Sequence, residues 1–380
     1  MTYVHSLSPF AIQFTENFGI RWYGLAYLTG FFAGYMSIVM MSRRGRTLFL
    51  EDQIADFITY CAIGVLAGGR LGYAAFYAPE LFTSFDGGFP YWGLLKVNEG
   101  GMASHGGIMG VMLVCLLYAR ANKMPVLHCM DLVTFGGAIG FCFGRIANFI
   151  NGELFGREAP SNLSWAVKFP SEILLWLQKD FEKLNVLGPA LDALKEFPGD
   201  YLPMPPPSGI WERITHFFSS APRETVPVDS ATWAQWMEAY SRDSGAFRHI
   251  HAGLEALITA TQHKNAAVTA ALAAVLTPRY PSQLIQSVLE GLLVFLVLCW
   301  IWRRPQKPGV IAGWFGFLYC FARIIGEQFR MPDAHIGFQL FGLTRGQWLS
   351  LVMISVAVVW LTLCYRRPVQ KMGGWSPAQV

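Results

Sequence analysis

The chain has 380 residues, of which 53% are hydrophobic and only 14% are charged. Soluble domains carry about 25% charged residues, so this deficit excludes an ordinary soluble protein and, with a mean hydropathy of +0.35, indicates an integral membrane protein. The net charge of +4 comes mostly from short basic clusters that are typical of membrane orientation signals, and it does not indicate nucleic-acid binding.

Seven apolar segments provide, or nearly provide, the roughly 20 residues that a membrane-spanning helix needs. In chain order they are residues 20–41, 54–78, 105–120, 128–150, 283–302, 309–328 and 346–364. The third segment is short, and hydropathy alone supports it least. The sequence therefore predicts an all-α polytopic membrane protein with seven transmembrane helices.

Basic clusters follow every odd-numbered segment. They are Arg43, Arg44 and Arg46 after the first, Arg120 and Lys123 after the third, Arg303, Arg304 and Lys307 after the fifth, and Arg366, Arg367 and Lys371 after the seventh. Because lysine and arginine are enriched in cytoplasmic loops, we predict an extracytoplasmic N-terminus and a cytoplasmic C-terminus.

A long polar segment between the fourth and fifth membrane segments is predicted to form a helical extracytoplasmic insert. Its patterns predict helices over 173–187, 230–243 and 250–276, on either side of a loop that contains Pro203, Pro205, Pro206 and Pro207. The predicted regions are therefore 1–157 with four membrane helices, the insert 158–280, 281–366 with three membrane helices, and a cytoplasmic tail, 367–380.

Small residues mark the predicted helix contacts. Gly136, Gly140 and Gly144 are spaced by four, and Gly106 and Gly110 repeat that spacing, which is typical of membrane helices that pack closely. The seven cysteines all fall in apolar segments, at spacings that indicate neither a disulfide framework nor a metal site.

The run from Gly144 to Arg157 places polar side chains where the fourth helix meets water. Arg145 and Asn148 share one helix face, and Asn151 and Glu153 follow at the helix end. A lone arginine there is more simply interpreted as a side chain that reaches the lipid head groups. Two asparagines and a glutamate beside it favour a functional site, since a guanidinium suits a phosphate group.

Three further patches lie at the same predicted outer face. His105 stands among glycines at the start of the third helix and suits a general base, although a lone histidine is more often structural. Tyr319, Arg323 and Glu327 share a stripe at the end of the sixth helix, where the last two could equally form an intrahelical ion pair. Tyr23 also fits an ordinary aromatic belt.

These patches predict an anionic lipid head group that is held by arginine, with a proton acceptor nearby. The sequence has no nucleotide-binding loop, no HExxH metal motif and no GxSxG nucleophile elbow, so no cofactor or metal is expected. A transporter or flippase for an anionic lipid or solute, and a non-catalytic lipid-binding scaffold, are the alternative functions. The clustering of the polar groups at one face favours an enzyme.

Five motifs follow one another along the membrane part. They are IRWYGL (20–25), GGMASHGG (100–107), the run 144–157, PSQL…LEGL (281–292), and Arg323 and Glu327 with FRMPD (329–333). In these motifs the chain resembles the bacterial prolipoprotein diacylglyceryl transferases. The resemblance implies a seven-helix enzyme of the bacterial inner membrane. It would move the diacylglyceryl group of phosphatidylglycerol to the lipobox cysteine thiol of a preprolipoprotein and release glycerol 1-phosphate.

The resemblance also implies the site residues. They are His105, Arg145, Arg323, Glu153 and Glu327 for catalysis, and Tyr23, Arg145, Asn148, Asn151, Gly156, Tyr319 and Arg323 for substrate binding. The two arginines suit the phosphate and the charge that develops on it. His105 is expected to take the thiol proton, with Glu153 or Glu327 as an orienting partner. Alternatively, it only positions the head group while the phosphate or water takes the proton.

The chain departs from the family in two places. Family members usually have a histidine before the PSQL run and a tyrosine and a glutamate after it, where this chain has Tyr280, Ile285 and Gln286. They also usually have a much shorter connection before Pro281. The insert could be a docking surface, a lid or a tolerated decoration, and we favour a decoration that makes some partner contact.

Overall fold

The computed structural model of the chain describes residues 2–14, 19–85, 91–96, 100–198, 225–332 and 337–375. Asp333 of the FRMPD run and the four prolines of the predicted insert loop (203, 205, 206 and 207) lie outside the described residues. The chain forms two compact units. The first unit comprises Met1–Ala26, Gly144–Gln286 and Gly326–Gly337, and the second comprises Tyr27–Phe143, Ser287–Ile325 and Phe338–Val380.

The N-terminal part contains three short strands and four membrane helices. The strands are β1 (Tyr3–Val4), β2 (Phe10–Gln13) and β3 (Gly19–Arg21), and the helices are α1 (Trp22–Arg43), α2 (Glu51–Phe76), α3 (Ser104–Ala121) and α4 (Val126–Ile150). All four helices are long and apolar enough to cross a membrane, including α3, which hydropathy alone supported least.

Glycine lets these helices approach closely within the second unit. A Cβ atom on Gly72 of α2 would lie 2.8 Å from the Cα atom of Gly106 of α3, so a larger residue would push the helices apart. A Cβ atom on Gly30 of α1 would lie 2.9 Å from the Cα atom of Gly140 of α4. The predicted packing is confirmed at these positions, but it is wrong for Gly144, around which the space is open.

The insert forms a small helical core in the first unit. Its elements are β4 (Val167–Lys168), α5 (Glu172–Lys179), a 3₁₀ helix (Phe181–Leu187), α6 (Gly188–Leu194), β5 (Glu196–Pro198), β6 (Thr225–Pro227), α7 (Ser230–Ala239), α8 (Ser244–Gln262) and α9 (Ala266–Val275). Ile173, Leu187, Trp233, Leu254 and Leu272 belong to one buried apolar cluster. The helices therefore bury their apolar faces against one another.

Two of the helices predicted for the insert are each divided. The segment 173–187 breaks at Asp180, between α5 and the 3₁₀ helix. The segment 250–276 breaks before Asn265, because the Asn265 side chain accepts hydrogen bonds from the backbone N–H groups of Ala267 and Val268 and so starts a new helix. The strands β5 and β6 pair in antiparallel fashion, and β1 pairs in parallel with β4.

Three further apolar helices complete the fold. They are α10 (Ser282–Ile301), which contains a π-helical turn at Ser287–Leu293, α11 (Val310–Gly326) and α12 (Arg345–Arg366). The helix α11 has 17 residues, whereas α10 and α12 are long enough to span a membrane. Every predicted membrane segment is thus a helix, and the predicted all-α polytopic fold is confirmed.

A buried carboxylate sets the start of α11. Asp131 of α4 accepts hydrogen bonds from the backbone N–H groups of Gly309 and Ala312, both at 2.8 Å. These donors have no partner within their own helix, so a carboxylate from another helix satisfies them. At its other end α11 stops at Gly326. Glu327 therefore follows the helix, and the expectation that it closes the helical stripe is wrong by one residue.

Candidate functional site

The signature run begins on α4 and continues into a turn. Arg145 and Asn148 are helical, and they are three residues apart on the same face. The helix ends at Ile150, so Asn151 and Glu153 lie in the segment that follows it. Arg145 is half-buried and Asn148 is buried, which places the guanidinium and the amide at the edge of the first unit's packed interior.

Tyr23 joins two of these polar side chains. Its hydroxyl group lies within hydrogen-bond distance of both Asn148 Oδ1 and Glu153 Oε1. A phenol has a single proton and cannot donate to two acceptors at once. The set is satisfied when Tyr23 donates to the Glu153 carboxylate and the Asn148 amide is turned so that its N–H donates to the phenol oxygen. The three residues then form one connected network.

Glu153 lies in an environment that disfavours its charge. Burial of its carboxyl group raises the pKa of Glu153, although part of the residue remains exposed. Its backbone carbonyl accepts a hydrogen bond of 2.7 Å from Gln283 Nε2. Burial therefore increases the proton affinity of the Glu153 carboxylate. The same carboxylate lies within hydrogen-bond distance of Tyr23.

Gly156 fills a narrow space between two other segments of the first unit. A Cβ atom at this position would lie 2.6 Å from the carbonyl oxygen of Phe329, and it would also collide with the carbonyl of Tyr280. The backbone N–H of Gly156 donates to that same Tyr280 carbonyl at 3.1 Å. Leu154, two residues earlier, has a φ of +54°, a conformation that costs energy for a side chain of this size. The turn is thus held in a fixed path.

A buried ion pair ties this turn to the insert. Arg279 donates to both carboxylate oxygens of Glu172, at 3.0 and 2.8 Å, and both side chains are buried. Its remaining terminal nitrogen donates to the Gly156 carbonyl at 3.2 Å, and its guanidinium lies over the Phe155 ring. The insert helix α5 and the signature turn are therefore joined through one guanidinium.

The segment after α11 contributes a second ion pair to the first unit. Glu327 is buried and accepts a hydrogen bond of 3.3 Å from Arg330. The guanidinium of Arg157 donates to the backbone carbonyls of Arg330 and Glu327, at 2.9 and 3.1 Å. The end of the signature run is therefore connected to the segment that carries Glu327.

In the second unit, one arginine organises the loop that leads to His105. All five N–H groups of Arg70 donate to backbone carbonyls, at distances of 2.5–3.1 Å. Nε donates to the carbonyl of Leu94, Nη1 donates to those of Gly100 and Gly101, and Nη2 donates to those of Gly93 and Lys96. Five is the full donor capacity of a guanidinium. The Ala103 N–H also donates to the Gly69 carbonyl, at 2.9 Å. His105 follows as the second residue of α3, with its side chain exposed.

Arg323 pairs with a carboxylate in the π-helical turn of α10. Its Nη1 lies 3.4 Å from Glu290 Oε1, and Glu290 is completely buried. A π-helical turn adds one residue to the helix and is frequent at functional sites. Tyr319, one turn before Arg323 on α11, packs against Phe141 in a tilted arrangement with 4.8 Å between the ring centroids. The phenol and the guanidinium therefore have fixed neighbours within this unit.

The predicted site residues are divided between the two units. The first unit contains Tyr23, Arg145, Asn148, Asn151, Glu153, Gly156 and Glu327, and the second contains His105, Tyr319 and Arg323. Hydrogen bonds bring Tyr23, Asn148 and Glu153 together. The expected pairing of His105 with a glutamate stays a prediction, since both Glu153 and Glu327 belong to the other unit.

Sequence interpretation missed several residues that hold these segments. Arg70 is an arginine inside an apolar segment, and this is a signal that could have identified it. Glu290 had the same signal, a carboxylate within an apolar run. Glu172 and Arg279 are 107 residues apart, and no spacing rule connects residues so distant in the chain.

Comparison with known proteins gives one consistent result. The family model of prolipoprotein diacylglyceryl transferase matches residues 9–363 of this chain. The phosphatidylglycerol–prolipoprotein diacylglyceryl transferase of Bdellovibrio bacteriovorus is 45% identical over 373 residues, which cover 98% of this chain and 97% of the relative. The proteins of the same name from Rhodospirillum rubrum and Neisseria meningitidis are 31% and 30% identical, over 94% and 90% of this chain and 93% and 90% of their own length.

Arg70→Lys will loosen the loop before α3. A lysine has three N–H donors at a single point and cannot reach five carbonyls, so we expect the free energy of unfolding to fall by about 2–4 kcal/mol. Thermal unfolding in detergent measures the loss, and limited proteolysis of the 77–103 segment shows where it acts. Arg43→Lys, in an exposed ion pair with Glu51, is the control and should change little. Equal effects of the two substitutions would contradict the assignment.

Glu153→Gln will change how stability depends on pH. The pKa of Glu153 is higher in the folded state than in the unfolded state, where it is about 4. The folded state therefore binds the proton more tightly, and the wild-type protein loses stability as the pH rises from about 4 through the pKa of the folded state. The variant has no such loss, so its stability relative to the wild-type protein should be greater at pH 7 than at pH 4.

Thermal unfolding at several pH values between these limits measures this difference. Glu51→Gln, which removes an exposed carboxylate, reports the effect of losing any surface charge. A difference between Glu153→Gln and the wild-type protein that is the same at both pH values would show that the Glu153 carboxyl is not perturbed.

Proposed function

The chain belongs to the prolipoprotein diacylglyceryl transferase family, and from this premise we propose that it lipidates preprolipoproteins. It transfers the diacylglyceryl group of phosphatidylglycerol to the thiol of a lipobox cysteine and releases glycerol 1-phosphate. This is the first step of bacterial lipoprotein maturation. The observation that carries the proposal is the connected set of Tyr23, Asn148 and Glu153 on and beside the helix that presents Arg145.

The reaction exchanges one bond for another at a glycerol carbon. The sulfur atom forms a bond to the carbon of the diacylglyceryl group that carries the phosphate. The bond between this carbon and the phosphate oxygen breaks, and its electron pair leaves with glycerol 1-phosphate. Negative charge therefore accumulates on the leaving group. A guanidinium at the edge of a low-dielectric region stabilises such charge better than water does. We assign this role to Arg145, and the family resemblance predicts it for Arg323 as well.

The thiol must lose its proton before or during the attack. Its unperturbed pKa is about 8.5, so only a few per cent is thiolate at neutral pH. We propose His105 as the proton acceptor, because its side chain is exposed on a helix start whose preceding loop is fixed by Arg70. The proton then leaves on the imidazole, and the thioether and glycerol 1-phosphate are the products.

The polar network beside Arg145 suits the remaining head-group atoms. Asn148 keeps a second N–H as a donor, Tyr23 holds Asn148 and Glu153 in place, and Glu153 offers an acceptor whose charge is disfavoured by burial. Asn151 adds a carboxamide to this segment. We propose that these side chains bind the phosphate oxygens and the glycerol of phosphatidylglycerol. Gly156 supports them by packing, and the family resemblance adds Tyr319 and Glu327 to the site.

The charge pattern supports an orientation for the protein in the membrane. We propose that it is a multi-pass protein of the bacterial inner membrane, with an extracytoplasmic N-terminus and a cytoplasmic C-terminus. The basic clusters after each odd-numbered membrane helix support this orientation. The insert, residues 158–280, then lies on the extracytoplasmic side, where preprolipoproteins present their lipobox.

Arg145→Ala will abolish transfer while the protein still inserts into the membrane. The purified protein is given phosphatidylglycerol and a lipobox peptide, and mass spectrometry detects a gain of one diacylglyceryl unit. Removing one charge-stabilising donor should lower turnover by about 100-fold or more. Arg43→Ala, in an exposed ion pair, is the matched control. Full turnover by Arg145→Ala would overturn its role, and no transfer by folded wild-type protein would favour transport or lipid binding.

His105→Gln separates a general base from a residue that only positions the lipid. If His105 accepts the proton, kcat should fall by about 100-fold or more while the KM for phosphatidylglycerol stays constant. Glutamine keeps a hydrogen-bonding group of similar reach, so binding contacts can persist. A raised KM with unchanged kcat would instead assign His105 to head-group positioning.

Two engineered cysteines test the proposed orientation. Ser241 is exposed in the insert and Arg44 is exposed after α1, whereas six of the seven native cysteines are buried. A membrane-impermeant maleimide applied to cells with a permeabilised outer membrane should label Ser241→Cys and leave Arg44→Cys unlabelled until the inner membrane is opened. The reverse labelling pattern would place the insert in the cytoplasm.

A further inference from the structure

Two glutamine side chains of the first unit are buried without adequate hydrogen-bond partners. Gln283 and Gln286 are both 0% exposed. Among the described residues, neither polar atom of the Gln286 amide has a partner, and Gln283 Oε1 and Asn151 Oδ1 also lack one. Buried polar atoms are nearly always hydrogen-bonded, because an unmade bond is costly. Three carboxamides with unpaired atoms therefore indicate a place where a ligand supplies the missing bonds.

These amides lie beside the polar network of the candidate site. Gln283 Nε2 donates to the Glu153 carbonyl at 2.7 Å, and Ser282 Oγ donates to the Leu154 carbonyl at 3.1 Å. The first turn of α10 is thus bonded to the turn that follows Asn151. Gln286 is three residues after Gln283, on the same helix face. Gln283 therefore borders the segment that carries Glu153, and Gln286 lies one helical turn further along α10.

The hydrogen bond to Glu153 fixes which end of the Gln283 amide is free. A carbonyl oxygen can only accept, so the nitrogen of Gln283 must face it and Oε1 must be the unpaired atom. The unpaired set then consists of three oxygen acceptors, on Asn151, Gln283 and Gln286, and the Gln286 nitrogen as a donor. A complementary ligand must donate several hydrogen bonds and accept at least one.

Building on the proposed function, we propose that Gln283 and Gln286 bind the hydroxyl groups of the head-group glycerol of phosphatidylglycerol. A hydroxyl group both donates and accepts, whereas an ammonium group only donates and would leave the Gln286 nitrogen unpaired. A carboxylate only accepts and would face three oxygens. A neutral polyol is the chemistry that satisfies the whole set. Gln286 is thus a specificity-determining residue for a hydroxyl-bearing head group.

Phosphatidylpropanol provides the matching probe. It keeps the phosphodiester and a three-carbon head group but has no hydroxyl group. The purified full-length protein in mixed micelles is assayed with each lipid, with the same acyl chains and the same lipobox peptide. The wild-type protein should prefer phosphatidylglycerol. In Gln286→Met, which removes both polar atoms at similar length, the ratio of the two kcat/KM values should fall by about 3- to 10-fold.

Gln347→Met is the matched control. Gln347 is also buried, but its amide is paired, since it accepts from the Thr344 N–H at 2.9 Å and donates to the Ile324 carbonyl at 3.4 Å. Its replacement should lower the thermal unfolding temperature and keep the lipid ratio. Gln286→Met has no hydrogen bond within the described residues to lose, so its unfolding temperature without lipid should not fall.

The outcomes separate this proposal from the proposed function. Absence of transfer from phosphatidylglycerol by folded wild-type protein overturns the proposed function itself. Transfer by the wild-type protein with equal efficiency from both lipids overturns only the role of the glutamines. The role of the glutamines is also overturned if Gln286→Met keeps the wild-type ratio of the two kcat/KM values. It is overturned as well if Gln286→Met lowers the unfolding temperature as much as Gln347→Met does.

Discussion

A guanidinium in apolar surroundings must have its donors satisfied, and in the described part of this protein that requirement constrains a loop, a turn and an irregular helical segment. Arg70 uses all five donors on the carbonyls of the loop before α3. Arg279 is bonded to Glu172 and to the Gly156 carbonyl, and Arg323 is paired with Glu290 in the π-helical turn. Since an unpaired buried charge is far more costly than a paired one, each arginine constrains the segment that supplies its partners.

The chemistry-bearing residues stand next to these constrained segments. His105 follows the loop that Arg70 holds, and Glu153 precedes the turn that Arg279 holds through Gly156. Membrane helices tolerate irregular backbone only where it is enclosed by protein or lines a polar cavity. Loops at helix ends would otherwise move freely, and reacting groups need a fixed geometry. The buried arginines thus provide rigidity where helical hydrogen bonds are absent.

The sequence predicted the parts of this fold that depend on local pattern. The membrane helices follow from hydropathy, and the shared face of Arg145 and Asn148 follows from helical spacing. The sequence could not indicate that Glu172 meets Arg279, because long-range pairing depends on how the insert folds. It also placed Glu327 inside a helix, since an apolar pattern does not show that α11 stops at Gly326. Local pattern therefore predicted the helices and the shared face on α4, whereas contacts between distant segments lay beyond it.

The site proposed in the first unit combines carboxamides with a carboxyl group whose pKa is raised by burial. Carboxylates close to a phosphate repel it, and this repulsion is strong where water is excluded. Burial raises the pKa of Glu153 and so disfavours the charged form of its carboxyl group. Gln283 and Gln286 are buried in the same unit and carry no charge. Carboxamides supply hydrogen bonds without repelling a phosphate, which suits the role proposed for Arg145.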